Sequence, residues 1–98
     1  MAEHPLQVFI KHDPEFFKLL EQTREFELAD GALPKKDKLL IALALDAAHG
    51  AVNGVKSLAK QAMAAGATKE EILEVIHVVH YICGVGSVYT AAQGLQEL

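Results

Sequence analysis

The sequence has one cysteine, Cys83, and no tryptophan among its 98 residues. A single thiol excludes an intramolecular disulfide and any thiol chemistry that needs two cysteines in one chain. It also fits a reducing compartment. Aromatic residues make up only 6% of the chain, so the core has to be built from Leu, Ile, Val and Ala. Positive charge is scarce as well. Nine Lys and Arg face thirteen Asp and Glu, for a formal net charge of −4. The one basic cluster, Lys35, Lys36 and Lys38, is interrupted by Asp37. Nucleic acid and anionic membrane surfaces both demand clustered positive charge, so neither is an expected partner. No apolar run approaches the roughly 20 residues of a membrane span; the longest is Leu39 to Leu45. Met1 to Ile10 lacks the basic segment and apolar stretch of a secretory leader. The expected location is the cytoplasm.

What remains is rich in apolar residues, at 51% hydrophobic against 22% charged. That balance excludes disorder. A chain this short has a high surface-to-volume ratio and cannot easily hide half its residues within itself. Subunits are therefore expected to bury part of the surface against one another. The length fits one domain, taken here as residues 13–98 behind an N-terminal arm, residues 1–12.

Glycine and proline divide the chain into helices, and no segment alternates with period two. Asp13-Pro14-Glu15 is a helix start, with a capping acid, a proline tolerated in the first turn and a glutamate at the positive end of the dipole. Glu15 to Leu28 follows, and Asp30-Gly31 is expected to end it. Pro34 opens a second helix running to about Ala48. Its Leu39, Leu40, Ile41, Leu43 and Leu45 point in every direction, the pattern of a helix buried on all sides. After Gly50 and Gly54, a third helix spans Val55 to Met63, with Asn53 as its expected N-cap. Thr68-x-x-Glu71 is a capping box. The helix it opens runs to Cys83, with Ile72, Val75, Ile76, Val79 and Ile82 assigned to the core side. Gly84 and Gly86 break it, and a last helix covers about Ser87 to Leu98. The expected architecture is all-α, five helices plus the arm.

The stretch Leu33 to Leu95 resembles the carboxymuconolactone decarboxylase and alkylhydroperoxidase D-like family. The resemblance is carried by Leu33-Pro34, the run Leu40-Ile41-Ala42-Leu43-Ala44-Leu45, then Ala62-x-x-x-Gly66-Ala67-Thr68-x-Glu70-Glu71-Ile72, and Gly84 before a small-residue helix. It implies the five-helix fold of that family, assembled as a homotrimer or homohexamer. The family's redox members carry a Glu, twelve residues later a Cys-x-x-Cys, and a His four residues beyond. Those positions are Leu39, Ala51, Gly54 and Leu58 in this chain. A thiolate to attack peroxide, a second thiol to resolve it and a proton relay are all missing. Leu58 also occupies the His position of the lactone decarboxylases, and Lys56 and Ser57 do not rebuild the pair. The resemblance thus implies the fold and the assembly, but neither named activity.

The remaining polar candidates are His49, His80 and Cys83 for acid–base or thiol chemistry, with Asn53 and Tyr89 lining a pocket between helices or subunits. Tyr81 is a further source of a hydroxyl. His77, His80 and Cys83 recur at every third position, about 60° apart around one helix. His80 and Cys83 can then face one pocket while His77 points away. Imidazole and thiolate suit zinc or iron. His49, His80 and Cys83 form the one conceivable ligand set, but it lacks a fourth ligand, so no cofactor is expected. Cys83 falls on the apolar face with Ile76 and Val79, and packing is the expected role of such a thiol. Three functions follow: a small-molecule binder or enzyme using His49 and His80, a non-catalytic assembly protein, or a redox protein relying on Cys83 with an external thiol.

Overall fold

The computed structural model describes residues 4–98. Six helices follow one another: α1 (Gln7–His12), α2 (Pro14–Leu28), α3 (Lys35–Ala48), α4 (Val52–Ala64), α5 (Lys69–Cys83) and α6 (Val85–Gly94). The described residues contain no strand, and no helix among them is long and apolar enough to cross a membrane. Helix α1 lies within the stretch read as an arm; Met1 to Glu3 lie outside the described residues. It packs on α2 through an edge-to-face pair, Phe9 on Phe16, with centroids 5.4 Å apart. Asp13 separates the two helices, and its side chain accepts from the Phe16 N–H.

Helix α3 sits at the centre, touching α2, α4, α5 and α6. It forms an antiparallel hairpin with α4. Leu43 and Ala47 meet Val55 and Ala59 in one buried cluster, and Leu39 meets Ala62 and Ala67 in another. Helix α5 runs beside α3 in the same direction. The Lys36 ammonium pairs with Glu71 at 2.9 Å near both N-termini, and farther along, Leu40, Ile41 and Ala44 face Val75 and Val78 across a shallow groove. Ile72, Val79 and Ala91 complete the core from α5 and α6.

The core is thinner than the periodicity implies. In α3 only Leu39, Leu43 and Ala47 are buried, while Ile41 and Leu45 are 49% and 55% exposed. Both lie on a face of α3 that the described residues leave open. In α5, Ile72 and Val79 are buried, Val75 and Ile76 half-buried, but Ile82 is 73% exposed and Cys83 is exposed. The series 72, 76, 79 points on to 83, yet the chain reverses at Gly84, whose φ of +84° is the left-handed conformation glycine tolerates. The last turn of α5 is left uncovered, so the core roles expected of Ile82 and Cys83 are not met within one chain.

The capping box stands as read: Thr68 Oγ1 accepts from the Glu71 N–H at 3.1 Å, and Glu71 accepts from the Thr68 N–H at 2.8 Å. Asp30 plays a different part. Helix α2 ends at Leu28, and the Asp30 carboxylate reaches forward to accept from the Lys35 N–H at 2.6 Å, capping α3. Gly86 does not break the chain but lies inside α6. Gly94 has a packing reason: a Cβ there would lie 2.6 Å from Val55 Cγ1 and 2.9 Å from the Val52 carbonyl oxygen.

Gly94→Ala forces α6 off α4 and lowers stability by about 1–3 kcal/mol, whereas Gly86→Ala, with nothing within 4 Å of the new methyl, raises it by about 0.5–1 kcal/mol through helix propensity; urea unfolding of both variants checks the contrast. Thr68→Ala costs about 1 kcal/mol. The Glu71 carboxyl is held below its ordinary range by the Thr68 backbone N–H first and Lys36 second. A depressed carboxyl stabilises above its unfolded pKa, and that stabilisation fades as pH falls through the folded value. Glu71→Gln should be less stable than the parent at pH 7 and converge on it below about pH 4.

Candidate functional site

His49 terminates α3 as its C-cap. Its ring Nδ1 lies 2.7 Å from the Leu45 carbonyl oxygen. A carbonyl can only accept, so Nδ1 carries the proton and donates. In the neutral ring this leaves the lone pair on Nε2. The residue is exposed. A histidine oriented by a backbone carbonyl, with a free basic nitrogen toward solvent, is arranged to take a proton from a bound molecule.

The turn after His49 is tight. The Ala51 N–H donates to the Asp46 carbonyl at 2.9 Å, the Val52 N–H to Gly50 at 3.1 Å, and Gly50 has φ +78°. Helix α4 then starts at Val52, earlier than its sequence suggested, with Ala51 as N-cap and no side-chain cap. Asn53 therefore lies within the first turn, exposed, and is not the cap.

Asp46 was not among the residues singled out from sequence. It is half-buried on the inner side of α3. A Cβ placed on Gly54 would lie 1.9 Å from Asp46 Oδ2 and 2.7 Å from its Cγ. The Asp46 carboxyl group thus fills the space that a side chain at 54 would need. It does so beside the N-terminal turn of α4, where the helix dipole favours negative charge. The signal was an acid one turn beyond Leu43 that interrupts the apolar stretch Leu39 to Ala48. Leu58, which the resemblance sets at the position of the redox histidine, is half-buried and packs against both core clusters, which suits a leucine.

The other candidates lie apart from this turn in the sequence. His80 and Cys83 are exposed on the last turns of α5, and Tyr89 is 68% exposed on α6. Among the described residues, no three of His, Cys, Asp or Glu come together to hold a metal ion. The set His49, His80 and Cys83 is therefore not assembled within one chain: His49 ends α3, and the other two stand on the uncovered end of α5. His77 is exposed and borders a groove between α5 and α6 formed by Leu73, Ile76, Val88 and Ala92. Tyr81 is 84% exposed, and Val78, Ile82 and Val85 near it in sequence are exposed as well.

Comparison with known proteins bears on the whole arrangement. A family model described as "Carboxymuconolactone decarboxylase family" matches residues 14–97. An uncharacterised protein of Methanocaldococcus jannaschii is 30% identical over 93 residues, covering 95% of this chain and 87% of its own length. The apo crystal structure of a carboxymuconolactone decarboxylase family protein from Legionella pneumophila superposes with a TM-score of 0.86 at 33% identity, over 93% of this chain and 81% of that one. The α3–α4 turn and the α5 and α6 helices that carry the candidate residues fall inside the matched residues 14–97. On sequence and on fold together, the chain belongs to the carboxymuconolactone decarboxylase family.

Proposed function

We propose that this protein works as a homo-oligomer, a trimer or hexamer, and performs histidine-based acid–base chemistry on a small molecule held at the α3–α4 turn. The observation that carries the reading is the His49 ring, fixed by Leu45 with Nε2 free. Asp46 adds a half-buried carboxylate to the same turn. Asn53 supplies an amide from the first turn of α4. His80, Cys83 and Tyr89, exposed in one chain, join as groups contributed where subunits meet.

Surface area supports the assembly. A monomeric globular protein of this mass exposes about 5,500 Å²; this chain of 10.6 kDa exposes 6844 Å². The excess exceeds the ~800 Å² that each partner buries in a standard interface. Its radius of gyration, 14.3 Å, is likewise above the ~13 Å of a compact domain of about 100 residues. Much of the surplus is apolar: Val78, Tyr81, Ile82, Val85 and Tyr89 on one flank, and Phe16, Leu19 and Phe26 on α2.

The exposed thiol favours a second reading. An accessible Cys83 is a target for peroxide, which would oxidise the thiolate to a sulfenic acid as its O–O bond breaks. An external thiol then returns the cysteine through a mixed disulfide.

Native mass spectrometry should give three or six times the chain mass; a monomer overturns the assembly. Proton exchange in D₂O, followed by NMR over a panel of small unsaturated acids and lactones, tests the chemistry. His49→Ala, with its assembly mass unchanged, should lower exchange by about 10²-fold or more. Full retention of exchange, or none with any compound in the parent, overturns His49 as a base. Iodoacetamide separates the readings: Cys83 reacts in the native assembly at pH 8 if it is a redox centre and is protected if it is covered between subunits.

A further inference from the structure

A second concavity lies away from His49, between α4 and the chain beyond α6. Its floor is apolar, formed by Ala59, Met63, Leu95 and Leu98. Its rim is charged. Lys56 and Lys60 stand one turn apart on α4, and both reach the same carboxylate: Lys56 Nζ lies 3.2 Å from Glu97 Oε1 and Lys60 Nζ 3.6 Å from Oε2. The opening measures about 80 Å³, room for about three groups of water or methylene size.

Two ammonium groups share one side-chain carboxylate, so neither lysine has an acidic side chain to itself above the apolar floor. Lys56 first, and Lys60 after it, hold the Glu97 carboxyl below the ordinary glutamate range, so it stays ionised between them. All three side chains remain largely solvated, at 48%, 64% and 64% exposure. An ion pair this exposed is weak and exchanges readily with another anion. The site is therefore organised around a carboxylate, and the carboxylate now in it is the protein's own.

We infer that this cleft binds a short-chain aliphatic carboxylate, its carboxyl group between Lys56 and Lys60 in place of Glu97 and its few methylenes on Ala59, Met63, Leu95 and Leu98. Glu97 acts as an internal competitor that keeps the lysines oriented when the cleft is empty. The two halves of the site make separable demands: the ammonium groups require a negative charge, and the floor requires an apolar tail.

Butyrate is the probe, with butan-1-ol and acetate as controls, titrated into the ¹⁵N-labelled full chain at constant ionic strength. Butyrate should give saturable shifts at the backbone amides of Lys60, Met63 and Leu95. Butan-1-ol lacks the charge and acetate lacks the tail, so both should bind more weakly. Lys60→Gln should weaken butyrate about two- to fivefold, the size of one exposed ion-pair contact. Glu97→Gln, which removes the competitor, should tighten it. Equal responses to butyrate and butan-1-ol, unsaturable shifts, or unchanged affinity in Lys60→Gln would each overturn the proposal. So would weaker binding in Glu97→Gln. An unchanged amide spectrum away from the cleft shows that each variant keeps its fold.

Discussion

The fold depends on how closely α6 approaches α4. Gly94 lies so near Val55 that a single methyl has no place between them. That contact lets Ala91 join Leu43, Ala47, Val55, Ala59, Ile72 and Val79 in one buried cluster. It also carries the chain onward so that Glu97 reaches the lysines of α4. A chain of this length with few aromatics cannot fill wide gaps between helices. It closes them instead by using small residues where helices meet, at Ala47, Ala59, Ala62, Ala67 and Ala91. Such an interface gains its stability from many short-range contacts at native packing density and tolerates little added volume.

The local grammar of the helices was readable because its causes are local. The Asp13 cap, the Thr68–Glu71 box, the start of α3 after Pro34 and the end of α5 at Gly84 each follow from a few adjacent residues. Errors arose where the deciding partner was distant or absent. Asp30 looked like a helix terminator, but the helix it serves is the next one. Asn53 has a capping side chain, yet the turn through Gly50 brings Ala51 to the capping position first. Periodicity correctly marked α3 and α5 as apolar, but it cannot say whether the cover comes from the same chain. Ile41, Leu45, Ile82 and Cys83 are apolar by pattern and open in this chain.

The candidate site was legible in part for the same reason. His49 drew notice through its place in a recognisable helix junction, and the structure adds the Leu45 carbonyl that settles which nitrogen bears the proton. Asp46 was missed because its role depends on a glycine eight residues later, across the turn. His80, Cys83 and Tyr89 were chosen for chemistry, and their common property in the fold is exposure on the apolar flank at the α5–α6 corner. Under the proposed function, acid–base chemistry and self-association share that surface, and a substitution there would be read through both.

The pairing of Asp46 with Gly54 also constrains how this chain can change. In the redox members that the sequence resembles, the position of Gly54 holds the second cysteine. Here a cysteine at 54 would meet the Asp46 carboxylate, so a thiol cannot be placed there by one substitution without displacing an acid already settled beside a helix N-terminus. Replacing Asp46 first would leave a gap over Gly54. Either order passes through a less well packed intermediate, a sign epistasis in which each change is harmful until the other is made.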